Sequence, residues 1–169
     1  MRILAITLAA VVAAPGLANA ETVDRTQVQN GTGACQAALP NYEGNIRKRP
    51  LAISNEGSSP AFVSCSMKSD DYYEALNGYN GVQLSNRGAA EANVNCTLVA
   101  GGTVPVNTAS YFPKSIAVPA GGSVVMPWDP SADNADAPFL NSLNWSCSLP
   151  PGVDINVVFT NIEEEVGAL

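Results

Sequence analysis

The sequence predicts an all-β protein, an antiparallel β-sandwich of immunoglobulin-like or jelly-roll-like type with about seven to nine strands. Three observations predict it. Apolar and polar residues alternate with a period of two in several short segments. Glycine, proline and asparagine break the chain between those segments at fairly regular spacing. No long stretch has the 3.6-residue periodicity of a helix, and no internal repeat or low-complexity tract is read.

The clearest strands are Ala61 to Met67, Ala92 to Leu98 and Leu143 to Leu149, each turning one apolar face inward. Each also carries a cysteine on that face. Gly81 to Leu84 presents Val82 and Leu84. Lys114 to Val118 and Ser123 to Trp128 flank Pro119-Ala120-Gly121-Gly122, which reads as a hairpin turn because glycine tolerates positive φ. Pro150-Pro151-Gly152 enforces another turn before a last strand, Val153 to Ile162, with Ile155, Val157 and Phe159 on one face. Pro50 confines Ile46 to Ser54 to an edge or a bulge, and the cluster Arg47-Lys48-Arg49 reads as the charge that guards such an edge. Trp128 and Trp145 lie within strands and are expected in the core.

The first twenty residues read as a secretory signal peptide. Met1-Arg2 is a short basic start, Ile3 to Ala14 an apolar run too short to span a bilayer, and Ala18 and Ala20 fit a cut after Ala20. Its shortness has a bacterial look. The expected destination is the periplasm or the exterior, with no membrane insertion once the leader is gone. Residues 21–34 are polar and read as a flexible lead-in, and 35–169 as a single domain. Removing 20 of 169 residues leaves 149, enough for a sizeable core.

All four cysteines lie in the mature part, so an exported chain is expected to form two disulfides. The pairs favoured are Cys35–Cys65 and Cys96–Cys147. The cysteine spacings match no zinc knuckle, and the chain contains no histidine.

Losing Arg2 takes the net charge from −7 to −8, which argues against nucleic acid or an anionic membrane as partner. Catalysis finds little to work with. There is no histidine base, no Gly-x-Ser-x-Gly elbow, and no free thiol if both disulfides form. The chain is read as a non-enzyme without cofactors. Asp129, Asp133 and Asp136 gather oxygen ligands in one loop, the raw material of a calcium site. Their spacing fits no EF-hand, and the simpler reading is a surface turn in which acids cap their own backbone.

The most suggestive binding segment is Asp70 to Asn80. Tyr72, Tyr73 and Tyr79 stand there beside Asn77 and Asn80, and tyrosine offers a rigid apolar body with a polar tip. The expected role is therefore non-catalytic binding of a protein or glycan partner. A carbohydrate-binding module using those tyrosines is one alternative. A fimbrial-type subunit completed by a donated strand is another, although Glu21 to Ala34 lacks the alternating large apolar residues that donation needs.

Overall fold

The computed structural model describes residues 21–67, 78–101, 109–139 and 142–166. Eleven strands form among them. They are β1 (Glu21–Asn30), β2 (Cys35–Ala37), β3 (Ile46–Arg49), β4 (Ala52–Asn55), β5 (Ala61–Met67), β6 (Asn80–Asn86), β7 (Ala92–Ala100), β8 (Ser110–Val118), β9 (Ser123–Trp128), β10 (Leu143–Leu149) and β11 (Val153–Val166). One sheet has the order β3-β4-β11-β6-β9 with β1 also on β11, and the other β2-β5-β10-β7-β8. Every pairing is antiparallel.

The strands β4 to β11 alone make two four-stranded sheets, β4-β11-β6-β9 and β5-β10-β7-β8. The chain changes sheet at each of their connections except the β7–β8 hairpin. That connectivity is the jelly roll, so of the two sandwich types expected it is this one that forms. Its consequence is a correction at Pro119 to Gly122. The amide of Gly122 does bond the Pro119 carbonyl at 3.0 Å, and Gly121 has φ 64°. However, β8 and β9 lie in different sheets. The turn is a corner between layers, not a hairpin.

Three strands precede the jelly roll, which is why the count exceeds the seven to nine expected. β3 forms a hairpin with β4 and leaves Arg47, Lys48 and Arg49 exposed on the sheet edge. Residues 21–34, expected as a flexible lead-in, are instead β1 and a helical turn, α1 (Gly31–Ala34). β1 pairs with β11 in register from Glu21↔Val166 to Asn30↔Val157. A strand held mainly by its backbone, with Val28 60% exposed, has no apolar pattern to betray it.

The core lies between the sheets. Trp128, Trp145, Phe139, Ile53, Leu84, Leu98 and Leu149 are among its fully buried side chains. Both disulfides, Cys35–Cys65 and Cys96–Cys147, join directly opposed residues of neighbouring strands within the five-stranded sheet. Cys35–Cys65 fastens the three-residue edge strand β2 to β5.

The structure also reveals a repeat that the sequence reading passed over. Ile53 to Cys65 and Leu84 to Cys96 align at an offset of 31 residues, with Ser, Asn, Gly, Ala, Val and Cys identical at six of thirteen positions. Each unit is a strand of one sheet, a crossover, and a strand of the other. In each, a buried asparagine organises the crossover. Asn55 accepts from the Gly57 amide at 2.9 Å and donates to the carbonyls of Ser59 and Leu149 at 2.9 and 2.7 Å. Asn86 accepts from the Gly88 amide at 2.8 Å and donates to those of Ala90 and Val118 at 2.8 and 3.1 Å.

Candidate functional site

β11 decides which side chains reach the surface of the six-stranded sheet. Strict alternation would put Ile155, Val157 and Phe159 on one buried face. The pairing with β6 instead slips between Ile155 and Val157, leaving Asn156 as the extra residue of a bulge. One inserted residue reverses every later side chain. Val153 and Ile155 point inward before it, and Val158 and Ile162 after it. Val157 and Phe159 therefore face outward while Ile155 faces inward, which corrects the single face expected for the three.

The register then builds a row across four strands. Pro127, Gly81, Phe159 and Val28 stand side by side on β9, β6, β11 and β1. Gly81 is what lets the Phe159 ring lie down. A Cβ at that position would come within 2.8 Å of the ring Cζ and 2.7 Å of the Met126 carbonyl oxygen. Tyr79 stacks on Phe159 with centroids 5.7 Å apart and planes at 28°, and is 41% exposed. Together they form a small aromatic platform. Amides and a hydroxyl border it: Thr26 donates to Asn161 Oδ1 at 2.9 Å, and Gln83 and Asn30 occupy the adjacent register row. No residue in these rows carries a charge.

Of the residues predicted for binding, Tyr79 stands on this platform. Asn80 does not. It is fully buried, donates to the Gly78 carbonyl at 2.8 Å, and accepts from the Thr160 hydroxyl. It positions the segment that carries Tyr79 instead of touching a partner. Tyr72, Tyr73 and Asn77 lie outside the described residues. Phe159 is the site residue that sequence reasoning missed, because it depends on the bulge.

The candidate metal loop is a self-capped turn. Asp129 caps α2 (Pro130–Asp133), accepting from the Ser131 amide at 2.8 Å and the Ser131 hydroxyl at 2.7 Å. Asp133 Oδ2 accepts from the Asp129 amide and from Lys114 Nζ, each at 2.8 Å. Asp136 sits in the left-handed region at φ 62° with its amide on the Pro130 carbonyl. Among the described residues no group of three or more histidine, cysteine, aspartate or glutamate side chains is gathered as metal ligands.

The hydrogen bonds from the Ser131 hydroxyl and amide hold the Asp129 carboxyl below its ordinary pKa. A group so depressed stabilises the fold above its unfolded pKa and loses that contribution as pH falls through the folded one. Asp129→Ala is therefore expected to lower the melting temperature at pH 7, and the gap to wild type should narrow on acidification. Melting curves across the acidic range check the sign.

The fold and this platform define a β-sandwich of jelly-roll connectivity with an aromatic patch on one outer face. No family model matches the sequence, and no curated protein is significantly similar to it. Solved structures with similar folds include the C-terminal CBM6 module of LamC, a marine laminarinase from Zobellia galactanivorans. It is 12% identical with TM-score 0.45, over 80% of this chain and 99% of that one. Another is the CBM36-1 domain of a multidomain xylanase from the hindgut metagenome of Trinervitermes trinervoides, 10% identical with TM-score 0.42, over 85% of this chain and all of that one. PfGH50B gives 11% identity and TM-score 0.48 over 88% of this chain, which spans only 24% of that protein. Similarities this remote carry no argument about function.

Proposed function

We propose that this protein is an exported, non-catalytic binding module that holds an uncharged glycan against the Tyr79–Phe159 platform. The observation that supports this most directly is the outward turn of Phe159 after the bulge, over a glycine that leaves its ring room. An aromatic face stacks on the C–H face of a sugar ring, and bordering amides can exchange hydrogen bonds with its hydroxyls. Export rests on the signal-like leader 1–20 and on two disulfides, which persist in oxidising compartments. No helix among the described residues is long and apolar enough to cross a membrane. The strand-donation alternative has little to draw on, since residues 21–30 pair with β11 of their own chain.

A glycan array tests the reading. Wild type should bind neutral glycans and ignore acidic ones. Tyr79→Ala and Phe159→Ala should each weaken binding about tenfold, the scale of a lost stacking contact of ~1–1.5 kcal/mol. Tyr79 is exposed, so its variant should melt near wild type. Phe159 is half-buried, so its variant should melt somewhat lower while staying folded at the temperature of the array. Unchanged array profiles in both variants would refute the platform.

A further inference from the structure

The outer face of the five-stranded sheet is unusual in its charge. Alternation turns three residues of β5, three of β10, four of β7 and four of β8 outward, and none of the fourteen is ionisable except Tyr111. A surface of that size ordinarily carries about four charged groups, and this chain has a net charge of −7. Lys114, the cation on β8, falls on the other side of the strand by alternation and is engaged there, donating to the Pro127 carbonyl at 2.6 Å and pairing with Asp133. It still contributes to the lining of the smaller depression described below.

What occupies the face instead is mostly hydroxyls and amides, with Phe62, Val99, Pro113 and Ala117 among them. Ser64, Ser146 and Thr97 stand in one register row across β5, β10 and β7. The next row runs through Ser66, Asn144 and Val99 to Tyr111, which is 63% exposed. Two depressions of about 550 and 420 Å³ open on this face, and Ser146 lines both. They form a track across the strands, at a spacing of about 4.8 Å per strand, a step close to the size of one sugar ring.

We propose that this face is a second, independent binding site for an extended neutral polysaccharide, laid across β5, β10, β7 and β8 with Tyr111 at one end. Hydroxyl and amide side chains pair with sugar hydroxyls without the desolvation cost of a charge. An anionic polymer meets no cation among the outward residues of these four strands, only Lys48 and the Asp133-paired Lys114 in the linings of the two depressions, and is repelled by the chain's net charge. With the Tyr79–Phe159 platform on the opposite layer, the module binds from both faces and joins two chains, or two stretches of one, by avidity.

Affinity electrophoresis through gels containing a neutral β-glucan, a xylan or a galactan, with polygalacturonate as the anionic control, tests this. The double variant Tyr79→Ala/Phe159→Ala should still be retarded in a neutral gel and not by polygalacturonate. Adding Thr97→Glu, a carboxylate in mid-track, should weaken that retardation at least tenfold, and Thr97→Gln should not. Tyr111→Ala, at an exposed position, should weaken it several-fold and guards against misfolding of the Glu variant. If the platform double variant alone abolishes retardation, the second site is overturned and the platform stands. If Thr97→Glu and Tyr111→Ala alone abolish it, the platform fails and this site stands. No retardation of wild type in any neutral gel overturns both.

Discussion

Replacing Cys96 and Cys147 together by alanine is expected to lower the unfolding free energy by about 4 kcal/mol, and replacing Cys35 and Cys65 by about 3.5 kcal/mol. The bridges close chain segments with sequence separations of 51 and 30, so each removes much of the unfolded chain's freedom. Against a domain stability of roughly 5–15 kcal/mol, either loss is severe, and a fall in melting temperature of roughly 10 °C should follow. The two losses should also differ in kind. Cys96–Cys147 joins two strands that each have neighbours on both sides, so its loss should act on the whole fold. Cys35–Cys65 ties down a three-residue edge strand, so its loss should also loosen β2 locally and expose amides there to hydrogen exchange. All four cysteines are buried, and the native protein should resist thiol-labelling until it is denatured with reductant. Urea unfolding of the two double-alanine variants decides the magnitudes. A change below about 1 kcal/mol in both would contradict the assignment.

Asn86→Ala and Asn55→Ala are expected to cost about 3 kcal/mol or more each. Each asparagine makes three hydrogen bonds across a crossover, one of them to a carbonyl of another strand in the buried interior. Truncation leaves that carbonyl and a loop amide without partners, and an unsatisfied buried group costs about 1–3 kcal/mol. Asn86→Asp separates the contributions. It keeps an acceptor for the Gly88 amide, loses both donors, and places a charge against two carbonyls. Its melting temperature should fall at least as far as that of the alanine variant at neutral pH and recover partly on acidification. Equal, small losses at Asn55 and Asn86 would mean that the repeated asparagines do not hold the crossovers.

How much of this was legible in the sequence depends on what each strand faces. β5, β7 and β10 are legible almost to the residue, because each packs one face on the core and turns a polar face out. β1 leaves no such signal, because neither of its faces is apolar. Its ten-residue register with β11 is held by main-chain bonds that any sequence can make. In β11 the sequence pattern and the structure differ in phase. Val153-Asp154-Ile155-Asn156-Val157-Val158-Phe159 alternates well enough to hide a bulge that carries no glycine to announce it. The one available signal was Val157-Val158, adjacent apolar residues that cannot both face the core of an alternating strand. The repeated Ser-Asn-x-Gly at residues 54 and 85 could have been found by aligning the chain with itself, and it foretells two like crossovers. Of the candidate site, Tyr79 was found from composition. Phe159 required knowing the register.

The central claim is that the bulge at Asn156 turns Phe159 into a glycan-binding platform with Tyr79. Amide chemical shifts of the labelled protein, titrated with a neutral oligosaccharide bound by wild type on the array, test it most directly. The account predicts saturable shifts at Tyr79, Gly81 and Phe159 and at their register neighbours Val28 and Gln83, lost in Phe159→Ala. Shifts confined to the turns at Pro119 to Gly122 and Pro150 to Gly152, with Tyr79 and Phe159 unmoved, would contradict it.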